Sequence, residues 1–149
     1  MGGISLNFEK KLQMKLLMIY CDKFAFSPTT RTLEEFEEVT EGNVFESALV
    51  AFIHAEEKDM EDIKGTETKM VKNLKWAAKK NNTRYVILHS FAHLSESKAD
   101  PHFTKELFDR VEARMKNADY KCDQTPFGYF LNLQVQAPGV SQARIFKSF

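Results

Sequence analysis

Residues 84–117 constrain the fold most. RYVILHS (Arg84–Ser90) follows an Asn-Asn turn with consecutive strand-formers, Tyr85 to Leu88, and reads as a buried strand. The loop FAHLSESKAD comes next. Asp100-Pro101 then supplies a capping carboxylate and a first-turn proline, so a helix opens there. It runs to about Asn117, with Phe103, Leu107, Val111 and Met115 on one face. A buried strand that feeds an amphipathic helix calls for a sheet with a helix packed on it, an α/β layer design.

The rest of the chain fits that frame. MKLLMIYC (Met14–Cys21) is a short apolar run suited to a central strand, and KFAFSP extends it to Pro28. Residues 29–43 are polar and acidic and read as a solvated loop or short helix. Val44–Glu56 holds a second apolar run, Ala48–Ile53, a strand ending near His54. A charged connection leads to Gly65, and residues 66–82 form a helix with Val71, Leu74 and Ala78 on one stripe. Lys72, Lys75 and Lys79 share another face, either solvated surface or a contact for phosphates. YKCDQTP is a short strand or connection. YFLNLQVQ (Tyr129–Gln136) alternates, with Leu131, Leu133 and Val135 on one side and Asn132, Gln134 and Gln136 on the other. The expected order is strand, strand, helix, strand, helix, strand, strand, in one domain of residues 14–149. Residues 1–13 are an N-terminal extension or a cloning remnant.

The bulk properties narrow the function. A chain of 149 residues buries enough surface for a core without a metal or disulfide staple. Zero formal net charge argues against a domain that coats nucleic acid non-specifically, while leaving room for one structured RNA end docked on a local patch. Cys21 and Cys122 lack CxxC spacing and read as reduced thiols of a cytoplasmic protein. No apolar run approaches a membrane span, and the N-terminus lacks the apolar segment of a signal peptide.

Chemistry concentrates at two places. The strand ending at Ser90 delivers Phe91–Ser97 to the carboxyl edge of the sheet, where α/β ligand sites form. His93 is the candidate there: an imidazole can orient a substrate hydroxyl or a water. The plain alternative is a histidine tied to loop backbone. His89 and His93 are four apart, but one ends a strand and the other lies in a loop. They lack helical metal-site geometry, and no zinc framework or cofactor motif is present. Cys21, at the end of a buried run, has nothing nearby to activate a thiol. The second place is TPFGYFL. Pro126 fixes a φ angle, Gly128 permits a positive φ or a close approach, and Phe127 and Tyr129 can wall a pocket or serve as core aromatics.

MKLLMIYCDKF, ALVAFIHAEEKD, FAHLS and PFGY, in this order and at this spacing over residues 14 to 136, resemble the N-terminal editing domain of archaeal-type threonyl-tRNA synthetases. The resemblance implies a fold like that of D-aminoacyl-tRNA deacylases, a homodimer, and hydrolysis of serine wrongly esterified to threonine tRNA. It implies a site for the terminal adenosine and aminoacyl group, with the substrate's own ribose 2′-hydroxyl taking part in hydrolysis. No cofactor and no metal are implied. By position, His93 matches the site histidine, and Phe91 and Ala92 adjoin it, Ala92 offering backbone. Pro126, Phe127, Gly128 and Tyr129 form the pocket wall, and His54 and Ala55 line it from the second strand.

Two departures stand out. The family's turn continues Pro-Phe-Gly-Tyr-Tyr-Lys, with a functional lysine. This chain has Phe130 and Leu131, and its alternation puts Leu131 on the apolar face. The family's acid after this strand is also missing, since Asp123 is the last acidic residue. The synthetase regions that follow in the family are not in this sequence; the ending ARIFKSF reads as a free-standing protein rather than a cut linker, with a threonyl-tRNA synthetase in trans as an expected partner. Three readings remain open: an editing hydrolase acting on a tRNA 3′ end, a degenerate module that binds aminoacyl-tRNA ends, nucleotides or amino acids, and a hydrolase of another small substrate.

Overall fold

A computed structural model describes residues 13–149. The expected N-terminal extension, residues 1–13, lies outside the described residues except for Gln13. The elements are β1 (Lys15–Arg31), β2 (Asn43–His54), α1 (Ile63–Lys80), β3 (Tyr85–Ser90), α2 (Pro101–Asn117), β4 (Lys121–Gln124), β5 (Tyr129–Gln136) and β6 (Arg144–Ser148). Short 3-10 turns occupy Glu57–Glu61 and Ser141–Ala143.

The strands form one mixed sheet in the order β4-β3-β2-β1-β5, with β6 also paired to β1. β2, β3 and β4 run parallel, and α1 and α2 make the connections that parallel neighbours require. β1 is antiparallel to β2 along most of its length. On its other edge it pairs β6 through Lys15–Ile19 and β5 through Lys23–Arg31. One long strand thus serves two partners laid end to end, and the sheet curls into a half-barrel. No helix among the described residues is long and apolar enough to cross a membrane.

The sheet has a core on each face. Leu16, Met18, Leu49, Ala51, Ile53, Val86 and Leu88 face the helices, whose Met70, Leu74, Leu107, Val111 and Met115 are fully buried against them. The stripes on both helices are those read from the sequence. Glu67 of α1 joins the helices by accepting from Arg110 Nε at 2.5 Å and from Arg114 at 3.1 Å. Burial alone would raise the Glu67 pKa, but the two guanidinium groups outweigh it and lower it. The opposite face carries Phe24, Phe26, Phe45, Val50, Phe52 and Ile87, with four of the chain's thirteen phenylalanines among them. The side-chain phase of β2 shifts at Ser47, where φ is +53°, so that Phe45 joins the same face as Ala48 and Val50.

Three boundaries differ from expectation. β1 does not stop at Pro28: it continues to Arg31, with Pro28 opposite Leu131 and a register shift beyond it. A proline survives where the ladder is irregular and its missing N–H is not needed. α1 starts at Ile63, because Asp62 caps it by accepting from Gly65 N at 2.9 Å. β6 was not expected at all. Its five residues form a strand because they pair with the distant start of β1.

Candidate functional site

A cavity of about 460 Å³ opens at the carboxyl edge of β2 and β3. Its size suits a small-molecule or nucleoside ligand. The β3–α2 loop contributes Phe91, Ala92 and His93. The turn before β5 contributes Pro126, Phe127, Gly128 and Tyr129, and β5 adds Leu131 and Leu133. Ile53 and Ala55 come from the end of β2. The two motifs, separated by more than thirty residues, therefore share one cavity.

The turn is held by the segment read as solvated loop. Gly128 O accepts from Thr32 N at 2.7 Å and from Leu33 N at 3.2 Å. Tyr129 OH accepts from Val39 N at 3.0 Å, and Phe36 packs edge-on to Phe127 at 4.8 Å. Gly128 has φ +84°, and a β-carbon there would lie 2.9 Å from Leu33 Cβ. The close approach that requires glycine is thus made by Leu33. Thr32 and Leu33 also line the cavity, a role their acidic surroundings in the sequence gave no sign of.

Of the three histidines near the edge, each does something different. His93 is exposed, stands edge-on to Phe91 at 5.0 Å and has no hydrogen bond among the described residues. Its ring nitrogens are open to a ligand. His54 does not line the cavity, contrary to expectation. Its ring is fully buried under the β3–α2 loop, where Nδ1 accepts from Leu94 N at 2.9 Å and Nε2 donates to Ser97 O at 2.5 Å. The backbone-tied histidine that the sequence allowed for His93 is therefore His54. The alternation of β2 turns this side chain away from the cavity and leaves Ala55, one residue on, to line it. The buried Glu56 carboxylate lies 3.5 Å from His54 Nε2 and 3.7 Å from Lys15 Nζ.

His89 lines the cavity. It is buried among Phe24, Phe52 and Phe91, and its Nδ1 is 2.8 Å from Thr125 Oγ1. Burial lowers its pKa to about 4, so the ring is neutral near pH 7. Sequence reasoning weighed His89 only as a metal ligand. Its place on the same strand face as Ile87 was the available signal.

The lining is mainly apolar. Among the described residues Lys98 is its only lysine, and no arginine or carboxylate lines it. Leu131 faces the cavity, so the alternation correctly placed an apolar side chain there. The lysines of α1 line no part of it. Cys21 and Cys122 are free and buried; burial pushes their thiols up to about 11 and about 12, which leaves neither suited to nucleophilic attack. No group of three or more metal-ligating side chains occurs among the described residues.

The family described as the archaea-specific editing domain of threonyl-tRNA synthetase matches residues 14–149. A threonine–tRNA ligase of Methanopyrus kandleri is 28% identical over 128 residues, covering 85% of this chain and 20% of that protein. One from Hyperthermus butylicus is 24% identical over 143 residues, covering 91% of this chain and 23% of its own length. The chain thus spans about a fifth of these relatives. Among solved structures, a "probable eukaryotic D-amino acid tRNA deacylase" superposes with TM-score 0.59 at 9% identity, covering 92% of this chain and 98% of that one. A c-Myc DNA unwinding element binding protein gives 0.60 at 9% identity, covering 89% and 97%. The fold is that of the D-aminoacyl-tRNA deacylases.

Proposed function

The chain belongs to the archaea-specific editing-domain family of threonyl-tRNA synthetase, and from that premise we propose that it hydrolyses the ester of serine wrongly attached to threonine tRNA. One observation carries this reading: the FAHLS and PFGY segments line a single cavity of nucleoside size. The terminal adenosine is held against Phe127 and Tyr129, with Gly128 and Pro126 shaping the wall. Ala92 offers backbone to the ester. His93, with both ring nitrogens unengaged, orients the attacking water or the ester oxygen. Water adds to the acyl carbon, the bond to the ribose oxygen breaks, and the ribose hydroxyl leaves with a proton. The vicinal ribose 2′-hydroxyl shares in that proton transfer. The protein acts as a homodimer in the cytoplasm, alone or beside a threonyl-tRNA synthetase.

The apolar wall bears on the rate. Loss of one preorganised electrostatic group typically costs about 10²–10³ in rate. A cavity with Leu131 and no carboxylate has correspondingly less to offer a developing charge. That same observation favours a second reading, a module that binds the aminoacyl-tRNA end without turnover. The two separate in a deacylation assay on seryl- and threonyl-charged threonine tRNA with His93→Ala and Leu131→Lys. Selective loss of the seryl ester that vanishes in His93→Ala supports the hydrolase. Activity confined to Leu131→Lys supports the binding module.

A further inference from the structure

We infer that His89 recognises the side-chain hydroxyl of the aminoacyl group in this cavity and so determines specificity for a hydroxylated residue. The inference rests on the deacylase reading for the identity of the ligand, and on the following geometry for the role.

The imidazole is fixed in place. Phe52 stands edge-on to it at 5.1 Å, Phe24 at 6.1 Å, and Phe91 lies at 6.2 Å. Thr125 holds Nδ1 at 2.8 Å, and Thr125 is itself pinned, its N–H donating to Leu88 O at 3.0 Å. The opposite nitrogen, Nε2, has no partner among the described residues. Yet among the described residues the only fully buried side-chain atoms without a hydrogen-bond partner are the Glu56 oxygens. Nε2 therefore keeps solvent access, and for a buried residue that lines the cavity we read that access as the cavity.

The surroundings make this nitrogen selective. Ile53, Leu131 and Leu133 line the same space with no polar side-chain atom, and the nearest hydroxyl in sequence, that of Ser90, also lines it. The Thr104 hydroxyl is already engaged with Asp100 O at 3.1 Å. A neutral ring matches a neutral hydroxyl without bringing a net charge into an apolar floor. A hydroxyl both donates and accepts, so it satisfies Nε2 in either tautomer; a methyl group satisfies neither. A ligand lacking the hydroxyl leaves a desolvated nitrogen unpaired, which is the strongest source of discrimination available to a small pocket.

The test measures binding of non-hydrolysable 3′-seryl-amino- and 3′-alanyl-amino-3′-deoxyadenosine by calorimetry, with deacylation of seryl-tRNA in parallel. Wild type is expected to prefer the seryl analogue by about five- to thirtyfold, the ratio that leaving one desolvated nitrogen unpaired supplies. His89→Phe keeps the ring packing and is expected to reduce the preference below about twofold while leaving alanyl affinity in place. His89→Gln, which can present an amide to the cavity, is expected to recover part of the preference. Thr125→Val frees the ring and is expected to narrow it, and it serves alone should His89→Phe not fold. A preference unchanged in His89→Phe, or in Thr125→Val where that variant stands alone, overturns the inference. Equal weakening of both analogues, or no binding of either by wild type, also overturns it. Preference without turnover supports His89 as the reader and removes only the deacylase reading.

Discussion

His54 and Leu94, forty residues apart, are joined by a 2.9 Å hydrogen bond from the Leu94 N–H to His54 Nδ1. The other nitrogen donates to Ser97 O, so one buried ring at the end of β2 holds both ends of a loop turn. The neighbouring backbone repeats the pattern, with Phe91 N donating to Ile53 O at 2.9 Å and Ala99 N to Ala55 O at 2.8 Å. β2 is the scaffold on which the His93 loop is stretched. The loop that carries His93 is thereby braced by a buried histidine outside the cavity lining.

His54→Ala should therefore behave as a loop defect. It leaves a partly buried donor at Leu94 and an acceptor at Ser97 without partners, a loss of about 2–4 kcal/mol. Denaturant unfolding should show that loss. Hydrogen exchange should quicken at residues 91–99 well before the core strands respond. Unchanged exchange in that loop would contradict the bracing role.

Gly128→Ala should damage the opposite wall. A left-handed φ costs an alanine about 1–2 kcal/mol, and the contact 2.9 Å from Leu33 Cβ adds steric strain. Leu33→Ala in the same chain should recover part of the loss by removing that contact. Thermal unfolding of the single and double variants measures both terms.

The acid response should rest on two buried groups of opposite sign. His89 titrates near 6.5 in the unfolded chain and near 4 when folded, because burial opposes the charged ring. Between those values only the unfolded chain takes up the proton, so stability falls as pH falls, by up to about 3 kcal/mol. Asp59 is raised by burial to about 6, against the help of the Glu56 and Met14 N–H groups. Between about 6 and 3.8 the folded chain takes up that proton, so stability rises as pH falls, by a similar amount. The two contributions offset each other in wild type. His89→Phe should gain relative stability from pH 6 to 4, and Asp59→Asn should lose it. Parallel profiles for the two variants would contradict the assignment.

Among the described residues Lys98 is the one lysine at the cavity, and it is solvent-exposed. Lys98→Glu should raise KM for a charged tRNA more than for an aminoacyl-adenosine, which lacks the neighbouring phosphates. It should also lower the salt slope of tRNA binding by about one. An equal effect on both ligands would place Lys98 elsewhere.

Local patterns made much of this fold legible. The Asp100-Pro101 cap, the two helical stripes and the alternation of Leu131 and Leu133 on β5 are short-range signals, and each took the expected form, while Val135 at the end of that stripe is exposed. The misses share another cause. β6 exists because Ile145 lies opposite Met18, and β1 outlasts Pro28 because β5 runs beside it. Such pairing carries no local mark. The site follows the same division. The FAHLS and PFGY residues were readable as cavity lining, but Thr32 and Leu33 enter through backbone bonds to Gly128 that no composition reveals. His54 and Ala55 adjoin in sequence, and only the register of β2 decides which of them faces the cavity.

The most direct test of the central claim is single-turnover deacylation of seryl-tRNA carrying the threonine anticodon, against threonyl-tRNA, by wild type and His93→Ala. The account predicts faster loss of the seryl ester with wild type and a fall to the spontaneous rate in His93→Ala. Equal loss from both tRNAs, or seryl hydrolysis unaffected by His93→Ala, would contradict it.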